Sequence, residues 1–220
     1  MYVRAMLSAA AVLLCATVAS AANLVSNGDF SLGNTGFTSD YRYVDPGGVR
    51  NCWDPGTYTI ATTADPCHPL WVTSGDHTTG DGNYLLVNGR TDRVSTIWLQ
   101  TITVTQHTLY GFEAWVRNLC CTDVSRPGSA LQFFANGELL GSGGLSEPGL
   151  WTAISNSWFS GTATQVELTA RNNTTSYDGN DFGIDDVSLQ AEPVPEPGSM
   201  ILLGTGLLGV VRVMRQRRRG

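Results

Sequence analysis

No lysine occurs anywhere in the chain. All thirteen basic residues are arginine, charged residues make up only 15% of the 220, and there are three histidines. Between residues 23 and 190, seven Arg stand against seventeen Asp and Glu, a net charge of −10 where the whole chain carries −6. Such a body lacks the basic surface that phosphate-bearing partners require. That excludes nucleic acid and anionic lipid, and leaves neutral sugars, cations, basic surfaces, or solubility alone.

Catalytic and metal signatures are missing too. There is no C-x-x-C pair for zinc, and no G-x-S-x-G, H-E-x-x-H or E-x-D-x-x-E. His68, His77 and His107 fall in polar loop-like stretches or at strand ends and read as turn or surface residues. Glu113 and Glu167 are the one carboxylate pair that a glycosidase reading can use. The body also lacks internal repeats and helical periodicity, which leaves strands as its building material.

What is present begins at the ends. "MYVRAMLSAAAVLLCATVASAANL" places Arg4 before an uncharged stretch, Ala5 to Val18, and then the small-residue exit Ala19-Ser20-Ala21. This is the order of a secretory signal peptide over residues 1–21, with Ala22 as the first mature residue. At the other end, Ser199 to Val211 gives thirteen uncharged residues, followed or interrupted by Arg212, Arg215, Arg217, Arg218 and Arg219. At ~1.5 Å per residue this falls short of the ~30 Å hydrocarbon core. Residues 199–214 therefore read as a short, marginal transmembrane helix, with the basic tail 215–220 held on the cytoplasmic side.

Between them, residues 23–190 contain runs rich in β-branched and aromatic residues, separated by Gly, Asn and Asp. They are "TYTIATT", "NYLLVNG", "STIWLQTITVT", "LYGFEAWVRN", "ALQFFANG", "WTAISNSWFS", "QVELTARN" and "FGIDDVSLQ". Short strands at this spacing predict an all-β, single antiparallel β-sandwich, with Asn136-Gly137 turning a hairpin. Alternation sorts the faces. Tyr110, Phe112, Ala114 and Val116 point inward, as do Leu131, Phe133 and Ala135, and Val166, Leu168 and Ala170. The outward rows contain Glu113, Trp115, Arg117, Gln132, Glu167 and Arg171. On neighbouring strands of one sheet these would form a strip suited to sugars, with a flat ring for the pyranose C–H face and polar groups for hydroxyls. A solvated face with Glu–Arg cross-strand pairs is the plainer reading of the same rows.

Four cysteines follow the signal peptide: Cys52, Cys67, Cys120 and Cys121. In an exported chain they read as disulfides. Adjacent Cα atoms across a trans peptide lie ~3.8 Å apart, below the usual disulfide window. This favours pairing Cys120 and Cys121 outward with Cys52 and Cys67. A 52–67 bond beside a vicinal bond is the alternative.

Two resemblances add to this reading. Pro195-Glu196-Pro197, a Gly-studded apolar run and a terminal Arg cluster resemble the PEP-CTERM sorting signal of Gram-negative, polysaccharide-producing bacteria. The resemblance implies an exosortase-type sorting enzyme as partner, removal of the tail within or after the Pro-rich linker 191–198, and passage through an inner-membrane intermediate to the cell surface or matrix. "NLVSNGDFSLGNTGF", "DHTTGDGNYLLVNGR", "LYGFEAWVRN" and "GNDFGIDDVSL" resemble the carbohydrate-binding modules that share the galactose-binding-like jelly roll. That resemblance implies first and last strands close in space, and a structural calcium (Ca2+) near them. Asp185 and Asp81 match its carboxylate positions, while Ser31 stands where the family carries a carboxylate. Calcium takes six to eight oxygens, several of them carboxylates. Otherwise Asp185 and Asp29 cap turns. Together these features predict a noncatalytic surface protein that binds extracellular or matrix polysaccharide. A purely structural surface protein is the first alternative, and a glycoside hydrolase the second.

Overall fold

The computed structural model describes residues 21–47, 52–65, 68–121, 128–145 and 147–193, together with Gly204, Gly206 and Arg215, which are helical. The signal peptide up to residue 20, Cys67, the Pro195-Glu196-Pro197 motif and almost all of the apolar tail lie outside the described residues. Among the described residues, no helix is long and apolar enough to cross a membrane.

The body is a sandwich of ten strands: β1 (Arg42–Tyr43), β2 (Thr57–Ala61), β3 (Tyr84–Asn88), β4 (Ser95–Thr103), β5 (Leu109–Asn118), β6 (Ala130–Ala135), β7 (Glu138–Gly144), β8 (Thr152–Phe159), β9 (Gln165–Asn172) and β10 (Phe182–Ala191). Six form one sheet in the order β1-β2-β3-β10-β5-β8, and four form the other, β4-β9-β6-β7. All pairings are antiparallel except β1 with β2. The eight predicted runs each supply a strand, so the all-β sandwich is the observed fold.

The inward rows of both sheets meet in one core. Tyr110, Phe112, Ala114 and Val116 of β5 pack with Leu131, Phe133 and Ala135 of β6 and Val166, Leu168 and Ala170 of β9. Each large apolar side chain buried this way stabilises by ~1.5–3 kcal/mol. The hairpin between β6 and β7 turns on Asn136 (φ 50°) and Gly137 (φ 83°), the paired left-handed conformation of a two-residue type I′ turn. Strand β7 was not among the predicted runs because its sequence, "ELLGSGG", has little β propensity. Its glycines serve contact across the sheets: a Cβ on Gly141 would lie 2.6 Å from Ile154 Cγ2 of β8. Only glycine lets these two edge strands approach so closely.

The N-terminal segment lies against the last strand, as the body's resemblance implied. Leu24 N donates to Leu189 O (2.9 Å), Asn23 Nδ2 donates to Val187 O (3.1 Å), and Leu189 N donates to Asn23 Oδ1 (3.0 Å).

The favoured cysteine pairing does not hold. Cys120 and Cys121 are bonded to each other, with their Cα atoms 3.0 Å apart across a cis peptide. The expectation of outward pairing assumed the trans spacing, which this peptide does not have. Cys52 is disulfide-bonded as well.

Candidate functional site

The outward row of β5 determines the site. Glu113 pairs with Ser188 of β10 and Ser155 of β8, Trp115 pairs with Asp185 and Ala153, and Arg117 pairs with Gly183. These positions lie on the outer face of the six-stranded sheet, over which the connection between β2 and β3 folds. That connection carries the "DHTTGDG" stretch, residues 76–82. Asp76 shapes it: Oδ1 accepts from Gly80 N (2.6 Å) and Gly82 N (2.9 Å), and Oδ2 accepts from Thr79 N (3.1 Å). Burial pushes the Asp76 carboxyl up, but these donors outweigh it and hold it below the ordinary value.

Arg117, Asp185 and Asp186 fasten this connection to the sheet. Arg117 Nη2 donates to Ser74 O at 2.6 Å, and Nη1 donates to Ser74 Oγ. His77 N donates to Asp185 Oδ2 at 2.8 Å. The His77 imidazole Nδ1 lies 2.7 Å from Asp186 Oδ2. Asp185 and Asp186 can both reach the connection because β10 bulges between Asp185 and Ser188, with Asp186 at φ 47°. Underneath, a second apolar cluster of Val44, Ala64, Trp71, Tyr84, Leu86 and Leu119 fills the space between sheet and connection.

Arg117 is therefore 0% exposed. Its guanidinium carbon sits 4.4 Å from the ring centroids of both Tyr84 and Trp151, a cation held between two π faces. Burial lowers its pKa from the ordinary value. Trp151 then meets the edge of His77 (centroids 6.0 Å, 73°), and His77 stacks on Trp115 (3.8 Å, 14°). The sequence Tyr84, Arg117, Trp151, His77, Trp115 is a continuous ring-and-cation ladder across the sheet.

Where the ladder ends, the face opens into a groove of about 520 Å3 whose lining includes Asp29, His77, Glu113, Trp115, Asp186 and Ser188, with Asn23 and Asn27. Trp115 is half-buried, and its Nε1 donates to Glu113 Oε1 at 3.0 Å. A second depression of about 300 Å3 shares Glu113, Ser188 and Gln190 with the first and continues to Glu192 and Pro193.

The predicted strip is split. Glu113, Trp115 and Arg117 lie on the six-stranded sheet, whereas Gln132, Glu167 and Arg171 lie on the four-stranded sheet, whose outer face is the opposite side of the sandwich. The inward and outward faces were sorted correctly, but the assumption that β5, β6 and β9 are neighbours was not met. Arg117 is not on the surface, because the β2–β3 connection covers it. Gln132, Glu167 and Arg171 do share one open face, where Arg171 lies 5.1 Å from the Phe134 ring centroid. Glu113 and Glu167, with both sheets between them, cannot act as a glycosidase pair.

The calcium residues do not converge either. Asp185 is fully buried, and both its oxygens are occupied: Oδ2 by His77 N and Thr78, Oδ1 by Asp186 N. Burial pushes its pKa up to about 7 against those donors. Asp81 is exposed and accepts from Thr79 Oγ1, while Ser31 donates its hydroxyl to Asp29. Among the described residues, no group of three or more His, Cys, Asp or Glu could hold a metal ion. Asp185 and Asp29 accept from nearby backbone N–H groups.

Sequence reasoning missed His77, Trp151, Asp29 and Asp186. The "DHTTGDG" and "IDDVSL" stretches contain two of them and were the available signal. Their meeting depends on a loop crossing the sheet, which no periodicity reports.

The two-sheet sandwich formed by the ten described strands is found in other solved structures. The solved structure of TmCBM61 in complex with β-1,4-galactotriose shares it, with a TM-score of 0.50 at 12% identity over 78% of this chain and 99% of that one. Family 16 Carbohydrate Binding Module-2 matches at a TM-score of 0.45, with 15% identity over 76% of this chain and 99% of that chain. The CBM22-1 xylan-binding domain from Paenibacillus barcinonensis Xyn10C gives 0.47, with 13% identity over 81% and 100%. No curated protein matches the chain in sequence. Residues 193–219 match the PEP-CTERM protein-sorting motif, which marks the chain for export and surface sorting.

Proposed function

We propose that this is an exported, surface-sorted, noncatalytic glycan-binding protein, and that the groove beside Trp115 is where extracellular polysaccharide binds. The observation that carries the reading is the groove itself. A half-buried indole, backed on one face by His77, stands in a trough of about 520 Å3 among the amides of Asn23 and Asn27 and the carboxylates of Asp29 and Glu113. An indole fixed in this way offers a sugar ring an apolar surface at little entropic cost, and Glu113, Asp29 and Ser188 beside it serve hydroxyls. The fold is shared with a module whose structure contains β-1,4-galactotriose, which supports the reading.

The separation of Glu113 and Glu167 on different sheets removes the carboxylate pair on which the hydrolase alternative rested, which supports the noncatalytic reading. The sorting motif supports an exosortase-type enzyme as processing partner, in a Gram-negative bacterium, with the apolar tail as a temporary inner-membrane anchor. Mature protein should then lack residues beyond about Pro197. Intact mass of surface-extracted protein checks this, and a retained arginine cluster refutes it.

Calorimetric titration against a polysaccharide panel tests the binding reading. Trp115→Ala should abolish binding while Phe134→Ala, on the opposite face, leaves it unchanged. Binding that survives Trp115→Ala removes the groove as the site, and binding to no polysaccharide favours a purely structural surface protein.

A further inference from the structure

The groove has an unusual charge. Its ionisable lining consists of Asp29, Glu113, Asp186 and His77, and its continuation adds Glu192. The single basic group among them, His77, is taken up by Asp186 at 2.7 Å. Among the described residues, no arginine lines the trough. Arg42 is paired with Asp54, Arg90 and Arg93 with Asp92, Arg117 lies beneath the β2–β3 connection, and Arg171 is on the other sheet. The two depressions share Glu113, Ser188 and Gln190, so they form one trough along β10 and β5 that is open at the surface and reaches Pro193.

Resting on the reading of this groove as the glycan site, we propose that it selects a linear polysaccharide carrying protonated amino groups, a polyhexosamine, and rejects uronic-acid polymers. A trough open along its length admits the interior of a chain, whereas a closed pocket would take only a chain end. Carboxylates with no arginine among them repel uronates and attract ammonium groups. Glu113 holds its place through one oxygen, which accepts from Trp115 Nε1, leaving the other for a ligand. The same carboxylate thus lies beside the indole, so a sugar ring stacked on Trp115 presents its amino substituent to Glu113. An ammonium near an indole also gains cation–π attraction.

The experiment uses the processed body and three probes of equal length: a β-1,4-glucosamine hexamer, its fully N-acetylated counterpart and an oligouronate, titrated calorimetrically at mildly acidic pH. The expected order is glucosamine above N-acetylglucosamine, with no uronate binding. Glu113→Gln with Glu192→Gln should lower glucosamine affinity roughly fivefold more than it lowers N-acetylglucosamine affinity. Added salt should erase the difference between the two hexosamines. A glucosamine dimer should bind more weakly than the hexamer.

A polycation could also adhere to the acidic surface at large. Trp115→Ala must therefore abolish glucosamine binding, and Glu138→Gln with Glu167→Gln on the other sheet must leave it intact. Equal or preferential binding of the N-acetylated or uronate probe overturns the amino-sugar proposal while keeping the groove as a glycan site. Failure of all three probes overturns the amino-sugar proposal, and failure of the neutral polysaccharide panel as well overturns both.

Discussion

Arg117 and Arg171 occupy equivalent positions: each is an outward residue near the end of a long strand, and each lies against aromatic rings. Arg171 is exposed on the four-stranded sheet, over Phe134. Arg117 is sealed on the six-stranded sheet between Tyr84 and Trp151. The strands do not make this difference. It comes from the β2–β3 connection, which crosses one outer face and leaves the other bare. Strand alternation decides which side of a sheet a residue takes, and a long loop then decides whether that side is surface or interior.

The sharpest way to break this comparison is to truncate both arginines. Arg117→Ala removes the filling between two rings and both hydrogen bonds to Ser74, so it should cost more than about 3 kcal/mol in urea unfolding. If the cost is similar to that of Arg171→Ala, the covered face is not a second core.

Acid titration gives the next effect. Burial holds Asp185 up to about 7 and Asp181 up to about 6, both above the ordinary value of 3.8. Between those limits the folded state binds protons that the unfolded state has released. Stability contributed by the two groups is thus fully present below about pH 4 and is lost as pH rises toward 7. Melting temperature should decline over that window. The decline should flatten in the Asp181→Asn, Asp185→Asn double variant, and an unchanged slope would mean that neither group carries it.

Trp115→Ala should cost about 1–2 kcal/mol, since the ring is half-buried and stacked on His77. A core tryptophan such as Trp98 would cost ~3–5 kcal/mol. Equilibrium unfolding of the two variants, measured side by side, separates them. Last, Arg171→Ala should stay within about 0.5 kcal/mol, because an exposed cation over a ring contributes little. A larger loss would give the open face a structural role.

Much of this was legible in the chain. Alternation along β5, β6 and β9 sorted every inward residue correctly, because the period of two is local. Asn136-Gly137 announced its turn because both residues tolerate positive φ. Strand partnership was not legible. β5 pairs with β10 and β8, each tens of residues away, and nothing along "LYGFEAWVRN" records that choice. Strand β7 escaped because its glycines answer to Ile154 on the other sheet. His77 escaped because its role is defined by what the loop rests on.

The position of β10 has a mechanical consequence. This strand is bonded on both sides, to β3 and to β5, and the N-terminal segment is stitched along it by Leu24 and Asn23. The sorting tail continues directly from its end, past Glu192, whose N–H still bonds Leu109 O at 2.9 Å. A pull on that end loads the ladders of β10 in shear, so many hydrogen bonds must yield together, whereas an edge strand would peel one bond at a time. A polymer lying in the trough above β10 would pass its drag directly into this one central strand, leaving the hairpin edges of the sandwich unloaded.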